Sequence, residues 1–211
     1  MLLKKRDMQL IAVTESSYKK KDIPLHEAVK EAVIGGASTV MLYDCGLSED
    51  EILKETALIK IMCGMYDVPF LVYGDTELAE AMDADGIVVE YKEFNSREIR
   101  RKFGVDRSAG VMTGSGTDAI NAARMGASFV LFGPVAAKSR GIKKSQIPEE
   151  LLEVCSEVAI PVVAYGGITD FDLNSLRGTG ICGFGVGSGI FASPDIREAA
   201  ARLRKQAIDV L

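Results

Sequence analysis

The sequence predicts one α/β domain, an eight-stranded parallel sheet closed into a (β/α)8, or TIM, barrel over residues 1–211. Three observations predict it. Short apolar runs recur eight times, and a helical pattern alternates with them along the chain. The runs are apolar throughout rather than alternating, as strands of a parallel sheet covered on its outer face should be. No Pro/Ser/Gly linker, low-complexity tract or block of like charge divides the chain. A doubly wound open sheet is the alternative, but it would carry phosphate-binding glycines after strand one, where "AVTESSYKKKD" has none.

Strand one is read at "MQLIAV" (8–13), followed by Leu25, Ala28, Val29, Ala32 and Val33 at the spacing of one buried helix stripe, which stops at Gly35-Gly36. Strand two is "STVMLY" (38–43), and Ser48 with Glu51 has the capping-box spacing that opens helix two. "PFLVY" (69–73) and "GIVVE" (86–90) are strands three and four, with Asn95 and Glu98 opening helix four in the same way. "RSAGVM" (107–112) is strand five, and in "TGSGTD" (113–118) Ser115 and Thr117 read as cap residues. "SFVLF" (128–132), "PVVAY" (161–165) and "GFGV" (183–186) complete the set. Pro148 and Pro194 mark the starts of helices six and eight, the latter with Ser193 as its cap. "GASTVML" (36–42) and "GASFVLF" (126–132) are alike and four units apart, which fits two half-barrels or a shared way of starting a strand.

Composition narrows the function classes. With 47% hydrophobic residues and no Trp, the chain fills a core with aliphatic side chains. A formal net charge of −5 speaks against a nucleic-acid partner, which needs a basic face. Cys45, Cys63, Cys155 and Cys182 have no metal-ligand spacing and read as free thiols of a reducing compartment. No signal-peptide pattern and no apolar run of membrane-spanning length occurs, so a cytoplasmic protein with no membrane partner is expected, compatible with a homo-oligomer. His26, the single histidine, reads as an ordinary residue near a helix start.

The chemistry-bearing stretches are the glycines. In this topology the loops after strands seven and eight lie side by side at the C-terminal face, where the fold commonly binds phosphate. The sequence places "YGGIT" (165–169) and "VGSGIF" (186–191) there. Gly166, Gly167 and Gly187 let the backbone approach an anion, a short helix starting near Ser188 would aim N–H groups at it, and Ser188 adds a hydroxyl. Turn and packing glycines would look the same in either stretch alone.

Taken in order, "LIAVTE", "GGAS", "PFLVYGDTELAEAMDADGI", "GASFVLFGPV", "PVVAYGGIT" and "GFGVGSGIF" resemble the thiamine-phosphate synthase family, from about Leu10 to Arg204. The resemblance implies a TIM barrel and a transferase that joins an aminopyrimidine pyrophosphate to a thiazole phosphate, passing through a pyrimidine cation with Mg²⁺ on the leaving pyrophosphate. It assigns phosphate binding to Gly166, Gly167, Gly187 and Ser188, and aligns Glu93 with a metal-binding Asp. The family pattern Gln-x-Arg-x-Lys at the end of strand two is met here by Met41, Tyr43 and Cys45, and Asn-Asp after strand three by Tyr73 and Gly74, with Asp75 one step away. The loop after strand six carries Lys138, Ser139 and Arg140, then Lys143 and Lys144, as a replacement grip on pyrophosphate or as a solvated basic loop. The histidine that the related thiazole tautomerases use after strand five is absent from "VMTGSGTD". A second reading is a barrel that keeps the monophosphate cradle without the transfer chemistry, serving as a binding or regulatory protein or acting on another phosphorylated heterocycle.

Overall fold

All eight apolar runs become parallel strands, each paired with its sequence neighbours, and β8 pairs with β1 to close the barrel. They are β1 (Leu10–Val13), β2 (Thr39–Leu42), β3 (Phe70–Tyr73), β4 (Gly86–Glu90), β5 (Ser108–Thr113), β6 (Phe129–Phe132), β7 (Val162–Tyr165) and β8 (Gly183–Val186). The computed structural model describes residues 2–43, 45–136, 149–170 and 173–211. Around the barrel run α1 (Leu25–Ile34), α2 (Glu49–Met65), α3 (Thr76–Ala81), α4 (Ser96–Phe103), α5 (Gly116–Arg124), α6 (Glu149–Glu157), α7 (Ser188–Phe191) and α8 (Ile196–Val210).

Two cores follow from the two faces of each strand. Outward-facing residues such as Ala12, Val40 and Val72 pack under the helices, where the predicted stripe of α1 is buried throughout. Inward-facing residues fill the barrel itself: Ile11, Val13, Met41, Leu71, Val88, Met112, Phe129, Leu131 and Val163, sealed at the bottom by Leu3 and Met8. Gly110 makes room for this filling, since a Cβ there would sit 2.3 Å from the Phe129 ring.

One junction repeats at the bottom of the barrel. Ser38 donates its N–H to the Leu10 carbonyl at 2.8 Å, and its hydroxyl accepts from Leu10 N–H at 2.9 Å. Ser128 makes the same exchange with Ala109, and Asp85 does so with Phe70 through its carboxylate. At β8, Cys182 donates its N–H to the Val162 carbonyl at 2.8 Å. The residue entering each even strand thus clasps the start of the strand before it. The likeness of "GAST" and "GASF" belongs to this strand-entry chemistry, because the β4 entry shows it without the sequence likeness.

Three readings need correction. The cap of α8 is Asp195, whose side chain accepts from Glu198 N–H at 2.8 Å, and Pro194 lies outside the helix. Asp outcompetes the upstream Ser because its carboxylate also complements the helix dipole. In the 113–118 loop only Ser115 caps α5, bonding Asp118 N–H, while Thr117 is already helical. The unit after β7 has a 3₁₀ turn, Leu173–Leu176, where an α-helix was expected. Its two buried leucines are spaced i, i+3, which eclipses them in a 3₁₀ turn, and the stretch has no longer apolar stripe. Pro148 lies outside the described residues.

Candidate functional site

The loops after β7 and β8 meet beside the end of β1. Gly166 and Gly167 take φ +94° and +72°, and a Cβ on Gly166 would lie 2.7 Å from Pro134 Cα. The Gly166 carbonyl accepts from Ala136 N–H and the Tyr165 carbonyl from Val135 N–H, so the loop after β6 latches onto this turn. Gly187 precedes α7, which starts at Ser188 as expected and receives the first intrahelical bonds of Ile190 and Phe191 at its carbonyl. The leading N–H groups of such a turn have no partner within the helix. Gly166, Gly167, Gly187 and Ser188 all line one pocket of about 250 Å³, together with Thr14, Glu15, Tyr43, Tyr165 and Gly185.

Next to this pocket the barrel interior ends in tyrosines. Tyr43, Tyr73 and Tyr165 follow Met41, Leu71 and Val163 at strand parity, so they cap the inward-facing column of side chains. The Tyr43 and Tyr73 rings are 4.5 Å apart and tilted by 59°. Tyr73 donates its hydroxyl to Glu90 Oε1 at 2.5 Å. Burial first, and then the bond to Glu90 and that carboxylate's charge, push the Tyr73 phenol well above its usual range. Burial likewise pushes Tyr165 up to about 12, with Tyr43, Glu90 and Glu15 adding to it. Both phenols are therefore neutral donors near pH 7. Glu90 and Tyr165 are the site residues that sequence reasoning passed over, and their signal was parity: each stands two positions beyond an inward-facing residue, Val88 and Val163.

Donors for magnesium are few here. Asp75 caps α3, accepting from Leu78 N–H at 2.8 Å. Glu93 lines a lateral crevice of about 250 Å³ with Thr76, Asn95, Glu98 and Lys102, close enough to Tyr73 to act on its phenol. Among the described residues no group of three or more His, Cys, Asp or Glu converges as metal ligands do. One or two carboxylates suffice for an ion that arrives on substrate phosphates, and Glu93 offers one such donor. Lys138, Ser139 and Arg140 lie outside the described residues, as do Lys143 and Lys144. His26 sits in the first turn of α1, with Nδ1 2.9 Å from Glu55 Oε2, and does not line the pocket. All four cysteines are free, with Cys45 and Cys63 buried.

The family model for thiamine monophosphate synthase matches residues 10–190. This chain belongs to the thiamine monophosphate synthase family. It is 32% identical over 180 residues to the thiamine-phosphate synthase of Ruminiclostridium cellulolyticum, covering 85% of this chain and 86% of that one. Against the Clostridium beijerinckii thiamine-phosphate synthase the identity is 30% over 209 residues, 98% of this chain and 99% of its relative. The thiamine phosphate pyrophosphorylase structure from Pyrococcus furiosus superposes with a TM-score of 0.84 at 25% identity, covering 98% of both chains. No helix among the described residues is long and apolar enough to cross a membrane.

Proposed function

We propose that this chain is a cytoplasmic thiamine-phosphate synthase-type transferase, joining an aminopyrimidine pyrophosphate to a thiazole phosphate. The observation that carries this reading is the convergence of Gly166, Gly167, Gly187 and Ser188 on one pocket at the C-terminal ends of the strands. The thiazole phosphate would sit there, held by backbone N–H groups of both loops and by the Ser188 hydroxyl, with α7 directing its positive end at the anion. The pocket's other wall, Tyr43 and Tyr165, would flank the ring and keep water from the reacting nitrogen. Lys138, Ser139 and Arg140 are proposed to grip the pyrophosphate, in place of the cations missing from the end of β2. Magnesium bound to Glu93 and to the phosphates would offset the charge of the leaving group.

Purified protein given both substrates and Mg²⁺ should form thiamine phosphate. Pairing Lys138→Ala with Arg140→Ala should lower turnover by about 10⁴, as two electrostatic contacts of roughly 2.7–4 kcal/mol each would. An unchanged rate in that pair would place the pyrophosphate grip elsewhere. A second reading, a phosphate-ligand barrel without transfer, is favoured by the neutral tyrosines at the mouth. Stabilisation by thiazole phosphate with no thiamine phosphate formed would select it.

A further inference from the structure

On the outside of the barrel, α2 is apolar on two opposite faces. Ile59, Met62 and Cys63 lie buried in the layer beneath it. On the outer side Leu53, Ala57, Ile61 and Met65 recur every four residues, along a helix of 17 residues and about 25 Å. Leu53 is 50%, Ile61 62% and Met65 79% exposed, with Leu58, Tyr66 and, on the adjoining α1, Ile34 exposed as well. By contrast, α4 turns Arg97, Arg101 and Lys102 outward. A helix apolar all round is normally a buried one, and a contiguous apolar patch of roughly several hundred Å² marks a contact surface. Gly64 belongs to the same outer face, exposed, with open space where a Cβ would stand. Glycine inside a helix weakens it relative to alanine, so this one is explained by a neighbour that must approach closely.

We propose that this face pairs with the same face of a second copy of the chain, the two α2 helices running antiparallel about a two-fold axis between Ala57 and Ile61. The stripe has the same spacing in both directions, which suits an isologous contact. Antiparallel pairing sets Leu53 against Met65 of the second copy and Ala57 against its Ile61, a small side chain meeting a large one at the centre. Lys54, exposed within the face, then reaches across Gly64 of the second copy toward its exposed Asp67, and the two-fold axis makes that approach of opposite charges twice. Opposed helix dipoles favour the same direction. A stable dimer needs about 800 Å² from each partner, a scale that about four turns of helix with Tyr66 and Ile34 on their flank can supply. None of these residues lines the phosphate pocket, so the pairing does not depend on the ligand.

Sedimentation of the full chain at micromolar concentration should give twice the mass of one chain. Ile61→Lys puts an unpaired charge into each half of the contact, so it should weaken association at least about 100-fold and sediment as a single chain, with its far-ultraviolet circular dichroism unchanged. Leu53→Cys combined with Met65→Cys should give a covalent dimer on mild oxidation, and neither single substitution should. A wild-type chain that sediments singly at micromolar concentration would overturn the proposal. So would a dimer that Ile61→Lys leaves equally tight, since the contact would then lie on another face. Where Ile61→Lys fails to fold, Met65→Lys at the most exposed position of the stripe gives the same reading.

Discussion

At the residue scale, Gly166 and Ser188 make separable contributions. Gly166 combines a positive φ with a backbone neighbour 2.7 Å from where a Cβ would be. Gly166→Ala should therefore cost about 1–3 kcal/mol of stability, read by urea unfolding, and abolish binding of thiazole phosphate. Ser188 is exposed and outside the core, so Ser188→Ala should leave unfolding unchanged and weaken phosphate binding about tenfold, as loss of one hydrogen bond to a charged group does. Glycines of this kind were legible in the sequence because their backbone freedom is a property of the residue itself. Glu90 was not, because its meaning comes from register: Tyr73 lies beside Val88 across the β3–β4 pair, which brings its hydroxyl to the carboxylate two residues on. No local pattern in "GIVVEYKE" states that partnership.

Helix ends and strand entries are where the element scale departs from expectation. The Asp195 cap of α8 predicts that Asp195→Ala costs about 1 kcal/mol in urea unfolding, with Ser193→Ala costing distinctly less. Equal losses would return the cap to Ser193. The eight strands were legible because each is a bounded apolar run, and the stripe of α1 because its period is helical. The 3₁₀ turn after β7 was hidden by the expectation of regular alternation, although Leu173 and Leu176 alone cannot form a helical stripe. The clasp at the even strands was visible in Ser38 and Ser128 but not in Asp85, since a hydroxyl and a carboxylate in the same place need only share an acceptor.

At the scale of the whole molecule, folding buries acids in both the helix-covered layer and the barrel, and these must stay protonated. Burial pushes Cys63 and Cys182 up to about 12 and Cys155 to about 11, from an ordinary thiol value of 9.0. Tyr18 and Tyr165 rise to about 12 from 10.0, for the same leading reason. In the unfolded chain these groups ionise first, so between about pH 9 and 12 the folded state holds more protons and stability falls as pH rises. Their contribution is complete below about pH 9. The Tm should be lower at about pH 10.5 than at about pH 8, and a flat profile over that interval would show that these groups are not buried as described. The fold itself places the glycine loops and the tyrosine wall side by side only because β8 returns to β1.

The most direct test is a crystal structure of the protein with thiazole phosphate bound. The phosphate should lie between the 166–167 and 187–188 loops, its oxygens accepting from their N–H groups and from the Ser188 hydroxyl, with the ring against Tyr43 and Tyr165. A phosphate bound elsewhere at saturating ligand, or a pocket left without it, would contradict the assignment of these loops as the phosphate site.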